Sequence, residues 1–318
     1  MGVLAGLGLG LAAAGNPAAA KLCGDSVDGQ DVPCACGDVL VSNLQLTDDP
    51  VASEVCAEDG LIVRAPDARR GLVIDLRGAT LRGSGRSGGS GIRVIAGGPG
   101  GARIVSSGGV ATISGYDDGI TARGSDTVAL IEDLVVADSA RDAVRITGRD
   151  FEIRRVEARR ARRDGFGLGG SGFLITDTRA ADCGRFGYFV MGDTGTIGRS
   201  GAGNLAERSG NSGFNIMGAG HTLAECAARE GRKDGVFLQA IGLDVRSCRA
   251  EANQGTGIAG MGSTWRLADN VALDNAGDGI AVRGTGLTDE GGNRGEKNRG
   301  GERPTAVQCA INGTACAS

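Results

Sequence analysis

The sequence predicts an all-β solenoid: a parallel β-helix built from coils of about 22 residues, each carrying three short strands. Three observations carry this prediction. First, a phrase of the form Asp/Asn-Gly-aliphatic-x-aliphatic recurs as DDGITARG, DGFGLGG, FGYFVMG, NSGFNIMG, DGVFLQA, GTGIAGMG and DGIAVRG. Its central residues are Gly119, Gly165, Gly187, Gly213, Gly235, Gly257 and Gly279, with Ala143 filling one slot, at intervals of 24, 22, 22, 26, 22, 22 and 22 residues. A looser copy, GSGIRVIAGG, surrounds Gly91. Second, the apolar residues of each period alternate over short pieces and never form a helical stripe. Third, 59 glycines and 3% aromatics demand a chain that bends often and fills its core with small and β-branched side chains, while 41% hydrophobic content argues against disorder.

In chain order, residues 1–20, MGVLAGLGLGLAAAGNPAAA, read as a secretory signal with an A-x-A cleavage site at Ala18–Ala20. The apolar run breaks at Gly15-Asn16-Pro17, which argues against a membrane span. Residues 21–60 hold Cys23, Cys34, Cys36 and Cys56 and are expected to form a disulfide-rich N-terminal cap. Residues 61–284 form the coils, and 285–318 a capping tail closed by Cys309 and Cys316. The cysteine spacings suit no zinc site, and His221 is the single histidine. Cys226 and Cys248 stack one period apart facing inward. Buried thiols are the expected state, with a rung-to-rung disulfide as the alternative.

Within a coil, positions +1 and +3 from the central glycine are apolar, as in Val144/Ile146, Phe166/Leu168 and Tyr188/Val190. Positions −14 and −12 hold pairs such as Phe151/Ile153 and Trp265/Leu267, and −9 and −7 hold Leu134/Val136 and Val156/Ala158. Each piece has the period of two that a strand requires and is too short for a helix. Leucine-rich repeats would need recurring leucines, and calcium-binding nonapeptide repeats a GGxGxD motif; neither is present.

The stretches CGDVLVSNLQLTDD and GLVIDLRGATLRGSG resemble the opening coils of secreted bacterial members of the right-handed parallel β-helix, or pectate-lyase-like, superfamily. The second often reads IDLNGHTI there, whereas Arg77 and Ala79 replace the Asn and His here. The ending VQCAINGTAC resembles the disulfide-closed tail of that group. The resemblance implies a right-handed, single-domain solenoid and leaves activity open, because the fold hosts many functions.

Residues 154–164, RRVEARRARRD, place six arginines in eleven positions of a chain whose net charge is −4. Adjacent coils lie about 4.8 Å apart, so residues one period apart are neighbours. Stacked at −5 are Asp138, Arg160, Asp182, Arg208 and Glu230; at −10, Asp133, Arg155 and Asp177; at −8, Glu157 and Arg179; and at −6, Glu207, Arg229 and Glu251. The signs alternate, so a ladder of ion pairs is predicted, with a nucleic-acid or heparin-like patch as the alternative. The acidic pI of about 5.3 excludes general nucleic-acid binding. Asn253 and Asn275 stack at −4 as a buried amide ladder, and His221 falls at a core position.

Function is sought on the outward positions +2 and +4, which hold no acidic residue and cannot by themselves form a carboxylate pair. They do present Phe189, Met191, Asn215, Met217, Phe237, Gln239 and Met261. This strip is either covered, with the insertion near GDTGTIGRSGAG as a candidate cover, or open as a binding surface for sugars or a partner. Asp118, Asp142 and Asp164 stack at −1, where Asp-Gly suits a tight bend. Their mutual repulsion calls for neutralisation by Arg141, Arg163 and Arg185 or by a Ca²⁺ ion; otherwise no cofactor is expected. The leading expectation is a secreted or periplasmic, monomeric scaffold that binds polysaccharide or a cell-surface partner through this strip. The alternatives are a pectate-lyase-like polysaccharide lyase or epimerase working from the aspartate column, and a purely structural surface protein.

Overall fold

The computed structural model describes residues 20–65, 71–85, 88–125, 127–299 and 308–316, so the expected signal segment lies almost wholly outside the described residues. The chain winds as a parallel β-solenoid of about 11 turns with coils of about 22 residues. One sheet takes a single strand from each coil and includes Ser90–Ala96, Asp118–Arg123, Val144–Arg149, Phe166–Ser171, Tyr188–Asp193, Phe214–Ala219, Val236–Ile241, Ile258–Ser263 and Ile280–Thr285. The register runs rung by rung, with Val144 beside Phe166, Phe166 beside Tyr188 and Tyr188 beside Phe214. The second sheet takes two strands from each coil, for example Leu174–Thr176 and Arg179–Ala181. In Val128–Ala137 and Glu152–Arg159 these two legs run on as one strand. The only helix among the described residues is Pro50–Ser53.

Side chains at +1/+3, −14/−12 and −9/−7 point inward and are buried, which closes a core along the solenoid axis. Stacking places like over like: Phe166, Tyr188 and Phe214 form a column with ring centroids 4.9 and 4.5 Å apart, and Phe151 lies 5.2 Å from Phe173. Trp265 donates its indole N–H to the Ala240 carbonyl at 2.8 Å. His221 uses both ring nitrogens on the main chain, accepting from Gly195 N–H at 3.0 Å and meeting the Met217 carbonyl at 3.2 Å, which is a structural role.

The columns of alternating charge turn out to be corners of the coil. Asp133, Arg155 and Asp177 at one corner, and Asp138, Arg160, Asp182, Arg208 and Glu230 at the next, all have φ between 49° and 59°. This left-handed conformation costs a residue with a side chain about 1–2 kcal/mol, and the pairing along the column helps to hold it. Arg155 Nε donates to Asp133 at 2.8 Å, Arg160 Nε to Asp138 at 2.7 Å and Arg208 Nε to Asp182 at 2.6 Å. Arg179 reaches Glu157 at 3.3 Å and Arg229 reaches Glu207 at 2.8 Å. The hydrogen bonds from Arg160 and Arg208 hold Asp138 and Asp182 below the usual carboxylate range.

The amide ladder is longer than the two residues seen in the sequence. Asn253, Asn275 and Asn298 stack and end on Gln308, and Asn270 and Asn293 form a second ladder beside them. Each asparagine accepts a main-chain N–H of the coil before it and donates to a carbonyl of that same coil, as Asn275 accepts from Asn253 N–H and donates to Ala250 O at 3.0 Å each.

Cys23–Cys34 and Cys36–Cys56 staple the N-terminal end, and Cys309–Cys316 the other. Cys226 and Cys248 correct the expectation of buried thiols: they are disulfide-linked, their Cα atoms 4.5 Å apart across one rung. Neighbouring coils bring stacked residues close enough for the bond without moving the backbone. Cys183 stays free and buried, and burial pushes its thiol up to about 12. Four disulfides are characteristic of a chain that folds in an oxidising compartment. Among the described residues, no helix is long and apolar enough to cross a membrane.

Candidate functional site

The aspartate column sits at the bend that feeds each strand of the single-strand sheet. Asp118 accepts the main-chain N–H of Asp142 at 3.1 Å, Asp142 that of Asp164 at 3.2 Å, and Asp164 that of Phe186 at 3.2 Å. The sequence places Asp before Gly or Ala at these bends because a short carboxylate can reach the next coil's amide. The cost is three carboxylates in a row with little solvent, Asp142 and Asp164 being only 2% and 1% exposed.

Arginines supply the counter-charge, unevenly. Arg185 grips Asp164 with two hydrogen bonds, the Nε one at 2.7 Å. Its guanidinium also lies 5.0 and 5.2 Å from the rings of Phe186 and Phe189, which stack on each other at 5.5 Å. Asp142 is held more loosely, with Arg163 Nε at 3.7 Å and Arg145 Nε at 3.9 Å. Arg141 stands 3.9 Å from Asp118. Burial, reinforced by the charge of Asp164, therefore raises the Asp142 carboxyl above its ordinary value. Among the described residues, no group of three or more His, Cys, Asp or Glu side chains is arranged to hold a metal ion.

The strip lies on the outward face of the same sheet. Phe189, Asn215 and Phe237 are in register along it, as are Met191, Met217 and Gln239. Met191 is 49% exposed and Met261 68% exposed. The insertion does not cover the strip: it forms a turn, Arg199 pairing with Ala202, between Thr196–Ile197 and Asn204–Glu207, which both belong to the other sheet. The extra residues fall in a different leg of the coil, and the sequence period alone could not assign them to one. Asn215 Oδ1 is buried in the strip without a hydrogen-bond partner.

Strip and column meet at one place. Gly167 and Gly169 occupy the +2 and +4 positions between Arg145/Thr147 on one side and Phe189/Met191 on the other. The notch they leave is a groove of about 310 Å³, with Asp142, Asp164, Arg145, Arg163 and Arg185 along one edge and Phe189 and Met191 beyond the glycine floor. Met217, Phe237, Gln239 and Met261 lie farther along the face, outside this groove. Asp118 instead lines a second hollow of about 390 Å³ two coils earlier, with Ser90, Arg93, Thr121 and Arg123. The outward positions carry no acid, but the corner column brings two carboxylates to their edge. The signals that mark this place in the sequence are the paired glycines of DGFGLGG and the arginines one or three residues from each aspartate.

No protein-family model and no curated protein matches the sequence. Among solved structures, the chain is similar to the A-module of a mannuronan C-5 epimerase from Azotobacter vinelandii, at 14% identity over 79% of this chain and 78% of that one, with a TM-score of 0.40. It is also similar to a periplasmic alginate epimerase (14% identity, 79% of this chain, 65% of that one, TM-score 0.41). A pectate lyase matches at 13% identity over 80% of this chain and 71% of that one, with a TM-score of 0.39. These neighbours are parallel β-helix proteins.

Proposed function

We propose that the protein is an exported scaffold, extracellular or periplasmic, whose single-strand sheet binds an acidic polysaccharide laid along the solenoid. The observation that carries this reading is the groove over Gly167 and Gly169, where three arginines face two aspartates and an aromatic ring stands at the far edge. The surplus of one positive charge suits a sugar carboxylate. Arg145 and Arg163 are the more available donors, because each stands 3.7–3.9 Å from Asp142 whereas Arg185 is hydrogen-bonded to Asp164. Phe189 offers a ring face for the apolar side of a sugar. Isothermal titration with short oligogalacturonates and with neutral cello-oligosaccharides tests it. Acidic ligands should bind, more weakly at high salt and more weakly to an Arg145→Ala/Arg163→Ala variant. Equal binding of the neutral sugars would overturn the acidic preference, and binding of neither would leave the purely structural reading.

Asp142 favours a second reading, a polysaccharide lyase or epimerase. A carboxyl raised by burial and facing a groove beside arginines is placed to exchange a proton with a bound uronate. Incubation with uronate polysaccharides, with and without Ca²⁺, would show lyase action as a rise in ultraviolet absorbance from unsaturated ends. A flat trace with unchanged sugar stereochemistry would remove this reading.

A further inference from the structure

Most glycines of this chain are demanded by the fold. A Cβ built on Gly165 would lie 2.7 Å from the Gly187 carbonyl and 2.8 Å from Ala180 Cβ, and Gly170 has φ at +110°. Gly167 and Gly169 differ. Both have backbone conformations open to any residue. A Cβ on Gly167 would meet nothing nearer than Asp142 Oδ2 at 3.7 Å, and one on Gly169 nothing nearer than Met191 O and Thr147 Oγ1 at 3.4 Å. Glycine in a strand interior weakens the strand, and one that the fold does not need marks a close approach to the backbone. A second observation points to the same spot. The Asp142 side chain is 3% exposed, and its Oδ1 takes the Asp164 amide. Its Oδ2, on the Gly167 side, stands 3.9 Å from Arg145 Nε, beyond hydrogen-bond reach.

Resting on the polysaccharide reading above, we infer that Gly167 and Gly169 are specificity-determining residues: they let one sugar ring sit directly on the strand backbone, a ring hydroxyl meeting Asp142 Oδ2 and the ring carboxylate turned toward Arg145. The discrimination is steric, since any side chain at either position stands where the ring would be. Sugars with bulky substituents on the buried face are rejected by the same geometry.

The experiment compares Gly167→Val and Gly169→Val with Ala281→Val, which occupies the same outward strand position beyond the groove. Melting temperature and titration with short oligogalacturonates are read for each. The expected result is that all three fold, that the two glycine variants lose roughly tenfold or more in affinity, as one misplaced methyl or methylene in a pocket does, and that Ala281→Val binds like wild type. A folded Gly167→Val that binds as tightly as wild type overturns this inference while leaving the polysaccharide reading intact. A wild-type protein that binds no acidic oligosaccharide overturns both. Unfolding of the glycine variants would show that the fold demands these glycines, which also overturns it.

Discussion

The buried amide ladder offers the sharpest test of how the solenoid is held together. The Asn275 side chain makes four buried hydrogen bonds: it accepts from Asn253 N–H and Nδ2, and donates to Ala250 O and Asn298 Oδ1. Asn275→Ala removes all of them. The Asn253 main-chain N–H is left buried without this acceptor, at a cost of about 1–3 kcal/mol, and the other three bonds are worth about 0.5–1.5 kcal/mol each. The sum, about 2.5–7.5 kcal/mol, is a large share of the roughly 5–15 kcal/mol by which domains are stable. Coils contact only their neighbours, so the damage should centre on the C-terminal coils. Trp265, the single tryptophan, is fully buried in the same coil and reports it directly. Urea unfolding followed by its fluorescence should show the loss, with Arg160→Ala as a control, since exposed ion pairs contribute about 1 kcal/mol at most. If Asn275→Ala costs no more than Arg160→Ala, the ladder is not what satisfies these corners and the reasoning fails.

Four other outcomes are expected. Arg160→Glu replaces a pair with Asp138 by repulsion from Asp138 and Asp182, so it should destabilise by about 1–2 kcal/mol at low salt. The loss should shrink near 1 M salt, where the screening length is about 3 Å, and a salt-independent loss would refute the ladder. Because Asp138 and Asp182 are depressed below 3.8, their contribution is full above that value and disappears as pH falls through the lower folded values. Thiol titration of unreduced, denatured protein should find one thiol, Cys183, whereas three would mean that Cys226 and Cys248 are not bonded. Asp142 is raised, so its contribution is fully present below 3.8 and is lost as pH rises through the higher folded value. Asp142→Asn should therefore melt above wild type at pH near 7 and level with it in acid, and a lower melting point near neutrality would contradict the burial argument.

The fold was legible because the repeat fixes which residues stack. Pairs such as Phe166/Leu168 and Leu134/Val136 are inward in every coil where the period places them, and stacking multiplies a weak local signal. The corners were less legible. Left-handed bends are usually read from Gly or Asn, whereas Arg155, Arg160 and Glu230 hold them here through column pairing, a property of the coil above and not of the residue. The Cys226–Cys248 bond was read only as the alternative to buried thiols for a related reason: spacing places the two side chains one rung apart but does not say whether they join. The site was visible only as two lists. Phe189 and Met191 were read from the outward face, and Asp142 and Asp164 from the bend. That they share an edge follows from two glycines that a pattern of side chains records as blanks.

The arginine-rich coil resolves along the same division. Arg154 and Arg155 are engaged with Glu132 and Asp133, and Arg160 with Asp138, so these three hold the wall of the solenoid. Arg163 is different: it stands 3.7 Å from a carboxylate already occupied by a main-chain amide, and it lines the groove. One run of basic residues thus serves two ends because it wraps around a corner. On the corner and wall Arg154, Arg155 and Arg160 are each matched by an acid of the coil before them, which helps an acidic protein tolerate such a run. At the groove the three arginines outnumber the two aspartates by one, the surplus on which the proposed binding of a carboxylated ligand rests.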